Sequence, residues 1–137
     1  MGGNRREAVQ PPGVARPGAP YSPVVVSGDL VFTAGQVAFD EDGHLVPGGI
    51  GEQTGRVLDN LEACLRAAGC TLGDVVKVTA FLADLGDFEA FNVVYGARFE
   101  APPPARSTIG VDLPGGILVE IEAIARRATA GERGASR

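Results

Sequence analysis

A chain of 137 residues, 45% of them apolar, has the length and composition of one domain around one packed core. Its net charge of −5 argues against nucleic acid as a main partner, because phosphate binding rests on clustered Lys and Arg. One histidine and two cysteines are too few for a classical zinc set, and no metal or cofactor is expected. No run reaches a membrane span, and Met1 to Pro20 holds no apolar leader, so a reduced, cytoplasmic protein is expected.

Residues 1–13 are polar, aperiodic and rich in Gly and Pro, and read as a flexible tail; residues 129–137 read as a second one. A single domain is expected over 14–128. PVVVSGD and LVFTAGQVAF predict two strands joined by a turn at Gly28 and Asp29. From Glu52 to Ala68 the apolar positions Val57, Leu58, Leu61, Leu65 and Ala68 make one helical stripe, and Gly69 is a stop. VVKVTAFLADL, beginning at Val75, is a β-branched run suited to a central strand. Phe88, Phe91, Tyr95 and Phe99 then recur at helical spacing, with Asp84 or Asp87 as a cap and Pro102 to Pro104 as the end. RSTIGV and ILVEIEAIAR, joined by DLPGG, predict a closing hairpin. The order β-β-α-β-α-β-β indicates an α+β fold, a mixed sheet with two helices on one face.

That last hairpin carries charges in an otherwise apolar setting. Pairing Val111 with Ile117 would set Thr108 opposite Glu120 and Arg106 opposite Glu122, all four on one face. Two readings then stand side by side. Arg106 could form an ordinary cross-strand salt bridge with Glu120 or Glu122. Alternatively its guanidinium, led in by Pro102, Pro103 and Pro104, could grip a substrate carboxylate with two parallel hydrogen bonds while a glutamate handles water or a proton. Cys64 and Cys70 read as small buried residues, and Gln53 and Asn60 as makers of structural hydrogen bonds.

PARST followed by LPGGILVEIEAIA resembles the C-terminal signature of the RidA/YjgF family of enamine/imine deaminases, also known as endoribonuclease L-PSP. APYSP, LVFTAGQ, QTGRVLDNLEACLRAAG, VVKVTAFLADL and DFEAFNVVYGARF follow the family pattern in order. The resemblance implies a chorismate-mutase-like fold assembled as a homotrimer, sheets lining a central barrel and clefts between subunits. It implies hydrolysis of 2-enamino or 2-imino acids to 2-keto acids and ammonia without a cofactor. Arg106 matches the family arginine on the substrate carboxylate, and Glu120 the glutamate that orients water. Tyr21 matches a tyrosine reaching in from a neighbouring subunit. Gly35 and Thr108 match positions whose main chain contacts the ligand, and Asn92 an asparagine near the pocket, with a helix-to-loop hydrogen bond as the alternative for it.

The chain departs from that pattern in places. Thr108 stands where many members carry cysteine, Ala34 where serine is frequent, and Pro23 where an amide side chain is commoner. The Phe99–Arg106 connection is also short. These changes leave the substrate open between a general imine deaminase, a pathway-specific imine hydrolase and a non-catalytic binder of small carboxylates. Ribonuclease activity, attributed to some relatives, ranks low on the acidic balance.

Overall fold

The computed structural model describes residues 5–128. Its elements run β1 (Glu7–Val9), β2 (Val24–Ser27), β3 (Leu30–Thr33), α1 (Ile50–Ala67), β4 (Val75–Leu82), α2 (Phe88–Arg98), β5 (Ala105–Gly110) and β6 (Val119–Arg126). The six strands form one mixed sheet in the order β1-β2-β3-β6-β4-β5, and the α+β class with two helices follows the expectation. Among the described residues no helix is long and apolar enough to cross a membrane.

The local signals explain most boundaries. Gly28 takes φ +62°, which closes the β2–β3 turn so that Ser27 faces Leu30. At the start of α1 the Gly49 N–H donates to Glu52 Oε1 at 2.9 Å. At its end Gly69 takes φ +84°, the left-handed residue that stops a helix. Asp84 caps a short 3-10 turn by accepting from the Gly86 N–H at 2.8 Å, and Asp87 stands at the start of α2 without a side-chain bond. The sheet's helix-side face and α1 close the core. Val24, Val31, Val78, Leu82, Val119, Ile121, Val57, Leu58, Leu61 and Leu65 are all 0% exposed, each side chain contributing roughly 1.5–3 kcal/mol on burial. Arg98 ties the helices together, bonding Asp59 at 3.0 Å and Glu62 at 3.2 Å.

Two buried amides on α1 hold loops, as the sequence suggested. Gln53 donates to the Gly116 carbonyl at 3.0 Å and accepts from the Leu118 N–H at 2.9 Å. Asn60 donates to the carbonyls of Val37 and Phe39 at 3.0 and 2.9 Å. Cys64 and Cys70 are buried and unpaired with each other, and burial pushes the Cys64 thiol up to about 12.

The expected closing hairpin does not form. β6 lies between β3 and β4, antiparallel to both, while β5 pairs parallel to β4 at the sheet edge. The reason lies in the two patterns. β6 presents Val119, Ile121, Ala123 and Ala125 to the helices, all buried, and needs a neighbour on each side. β5 offers Arg106, Thr108 and Gly110 on that face and enters through prolines, which suits an edge. The β4–α2–β5 segment is then a crossover between parallel strands. At the other edge β1 pairs antiparallel with β2, Glu7 opposite Val26 and Val9 opposite Val24, so part of the expected N-terminal tail is a strand. Its Val9 is half-buried against the core, a contact that no periodicity in three residues could announce. The second expected strand also stops early, at Thr33, with Gln36 making a lone bridge to Ile121. The C-terminal tail lies outside the described residues.

Candidate active site

The observed pairing changes which residues share a face. Val78 faces Arg106 on one side and Ala123 on the other, so Arg106 and, two residues on, Thr108 belong to the helix-side face. Phe81 faces Glu120, and Thr79 faces Glu122, on the opposite and open face. The four-residue alignment expected from a hairpin is therefore wrong. Arg106 and Glu120 of one chain sit on opposite faces, two strands apart and three residues out of step, a Cα separation of roughly 14 Å. An ordinary salt bridge between them is absent; Arg106 makes no ion pair among the described residues.

The sequence-predicted residues thus fall into two groups. The first is built on β5 and α2. Arg106 is half-buried, and its guanidinium carbon lies 4.6 Å from the Tyr95 ring centroid, 5.2 Å from Phe91 and 5.8 Å from Phe88. The crossover brings the aromatic stripe of α2 over the edge strand, and cation–π attraction holds the guanidinium against it. Beside it is a groove of about 530 Å³ lined by Asn92, Tyr95, Phe99, Pro103, Pro104 and Arg106. Asn92 is half-buried there and makes no side-chain hydrogen bond among the described residues, so the helix-to-loop alternative is not realised. Thr108 is half-buried on the same face.

The second group gathers around Glu120 at the start of β6. Ala34 N–H donates to the Pro23 carbonyl at 2.9 Å. Gln36 exchanges backbone bonds with Ile121 at 2.8 and 3.0 Å. Those bonds hold the Ala34–Gly35 segment against Glu120. A Cβ built on Gly35 would overlap Glu120 Oε2 and stand 2.7 Å from its Cδ, so only glycine here leaves the carboxylate where it is. On its other side Gly35 shares a cavity of about 300 Å³ with Tyr21, which is 56% exposed. Burial, and then the charge of Glu122, push the Glu120 carboxyl above the ordinary glutamate range. A carboxylate poised this way is a stronger base than a free one.

Sequence reasoning noted the aromatic stripe only as a helix signature. Its spacing, Phe88, Phe91 and Tyr95 on one helical face, was the available signal for the cage. What it lacked was the strand order that sets Arg106 under that face.

A sequence model described as endoribonuclease L-PSP matches residues 13–127 of this chain. The chain belongs to the RidA/YjgF family. The family includes a RutC family protein of Pyrococcus abyssi, 47% identical over 112 residues, covering 80% of this chain and 88% of that one. It also includes the 2-iminobutanoate/2-iminopropanoate deaminase of Mus musculus, 45% identical over 77% of this chain and 80% of that one. Among solved family structures, E. coli TdcF with bound serine superposes with a TM-score of 0.83 at 35% identity, over 89% of this chain and 99% of that one.

Within this family fold, Gly35 offers a direct test of the Glu120 half. Gly35→Ala should displace the carboxylate, because the obstructed atoms are the movable end of one side chain. The expected result is a folded protein with an unchanged melting temperature, within about 2 °C, and turnover reduced as far as in Glu120→Ala. Circular dichroism melts read beside initial rates check it.

Proposed function

We propose that this chain hydrolyses reactive 2-imino and 2-enamino acids to 2-keto acids and ammonia, with Arg106 holding the substrate carboxylate and Glu120 directing water. The observation that carries this reading is Arg106 itself: half-buried, lining a groove, and without an acid partner among the described residues. A guanidinium so placed has its hydrogen-bonding fork free for a carboxylate. The named activity of the mouse relative and the serine bound to E. coli TdcF agree with a small amino-acid-like ligand.

The chemistry needs few groups. The oxygen of water adds to the iminium carbon as one of its protons passes to the Glu120 carboxylate, and the C=N π pair retires to nitrogen. Glu120 returns that proton to the nitrogen of the carbinolamine. The hydroxyl then gives its proton to Glu120, its electron pair forms the C=O bond, and ammonia leaves with the C–N pair. Glu120 finally passes its proton to the departing ammonia or to solvent. Positioning one water against one fixed carbon accounts for the acceleration, and no covalent nucleophile takes part.

Because the two groups of one chain face apart, the reading takes Arg106 from one copy and Glu120 from another. The open sheet face, with Leu30 and Phe32 each 38% exposed and Ile109 45% exposed, is apolar surface suited to a second copy. A homotrimer with clefts between subunits, as the family resemblance implies, meets both needs. Tyr21, Gly35 and Ala34 then border the water side, and Asn92 and Thr108 the carboxylate side.

The test is the loss of 2-iminobutyrate generated by a threonine dehydratase, followed with and without micromolar protein. Acceleration is expected, with kcat/KM rising as pH rises through a value above the ordinary glutamate range, since Glu120 must be ionised to accept a proton. Glu120→Gln should abolish the acceleration across that whole pH range. Wild-type protein that binds 2-keto acids without accelerating the reaction would establish the non-catalytic reading instead.

A further inference from the structure

Tyr95 poses a problem in elementary accounting. It is 5% exposed, and its hydroxyl is shut from solvent and makes no well-formed hydrogen bond, the Arg106 guanidinium lying close to it but poorly aligned. A buried hydroxyl without a partner destabilises a fold, and phenylalanine would fill the same space without that cost. The ring is already engaged, 5.4 Å from Phe91 and 4.6 Å from Phe99 between centroids. Packing therefore explains the ring and leaves the oxygen unexplained.

The nearest charged group is the Arg106 guanidinium, whose carbon lies 4.6 Å from the centre of that ring. A guanidinium carries five N–H donors in one plane, and a carboxylate gripped by its fork uses two. Aromatic faces hold the plane by cation–π attraction, which is weakly directional. They do not fix the rotation of the fork within it. A lone-pair acceptor at the edge turned away from the ligand would.

We propose that Tyr95 is a positioning residue for Arg106: its phenol oxygen accepts a guanidinium N–H when a carboxylate ligand draws Arg106 into its gripping orientation. The inference rests on the reading of Arg106 as the carboxylate anchor. It adds that the orphan hydroxyl finds its partner in the liganded state. Burial pushes the phenol's pKa up, while the charge of Arg106 and a loose approach of its N–H to the oxygen pull against it, so the group remains a neutral phenol with lone pairs to offer at neutral pH.

The variant is Tyr95→Phe, compared with wild type and Arg106→Ala. The readouts are the dissociation constant for 2-oxobutanoate by calorimetry, the melting temperature, and KM against kcat for the imine. Loss of one hydrogen bond to a charged group is expected to weaken 2-oxobutanoate by roughly tenfold. KM should rise accordingly with kcat kept, and the melting temperature should be equal or higher, since an unsatisfied buried group has been removed. A role confined to the fold predicts the reverse: a lower melting temperature with affinity unmoved, which would overturn the inference. Wild-type affinity in Tyr95→Phe, alongside lost binding in Arg106→Ala, also overturns it and leaves the carboxylate anchor standing. Wild-type affinity in Arg106→Ala removes the anchor itself, and the inference with it.

Discussion

Replacing Arg106 by alanine is expected to reduce acceleration of 2-iminobutyrate hydrolysis to the uncatalysed rate while leaving the protein folded. Two charge-assisted hydrogen bonds to a carboxylate are each worth about 1.5–3 kcal/mol. Losing both corresponds to a fall in kcat/KM of roughly 100-fold or more. The fold loses much less. Arg106 makes no ion pair among the described residues, and its contacts are the three rings of α2. Cation–π contacts at half-exposed sites contribute about 0.5–1 kcal/mol each. A shift of a few degrees in melting temperature is the corresponding expectation. Arg106→Lys should restore little activity, because an ammonium keeps the charge but lacks the planar fork. The coupled dehydratase assay, run beside thermal melts, separates the two roles. Intact turnover with a lowered melting temperature would make Arg106 a structural residue and end the proposed mechanism.

The second large effect concerns two variants mixed. Arg106→Ala and Glu120→Gln should each be inactive alone, yet regain activity when their subunits are exchanged by co-refolding or co-expression. The physical basis is the pairing of β5, β4 and β6, which turns Arg106 and Glu120 to opposite faces of one sheet. A cleft that uses both must draw them from two copies. Random association at equal amounts restores about a quarter of the sites, since an intact site needs one copy of each kind in the right order. Recovery near that level supports sites between subunits. No recovery in demonstrably mixed oligomers would mean that one chain supplies both groups, which the present sheet geometry does not allow without rearrangement.

Much of the layout is legible in the sequence. The spacing of Val57, Leu58, Leu61 and Leu65 predicts a helix over Glu52–Ala68, and α1 runs Ile50–Ala67, because that period is one only a helix buries together. β4 was legible for a similar reason: its β-branched run fits a strand paired along both edges, here by β5 and β6. The site residues carry a different signal. Arg106 and Glu120 stood out as charges in apolar strands, and the family resemblance gave them roles. Glycine at 35 carried no local signal, since its need arises from a side chain 85 positions later in the chain.

Local pattern decided which segments become helices and strands, where α1 and the β2–β3 turn end, and which side chains are apolar enough to be buried. These depend on neighbours within a few residues, and short-range sterics and periodicity express them fully. Strand order was decided only in the folded sheet, by which strands could bury both edges and which had to lie outermost. That choice sets β6 between β3 and β4, turns Glu120 and Arg106 apart, and slides Arg106 beneath the rings of α2. It is a competition among long-range pairings for the centre of one core, and no window along the chain contains it.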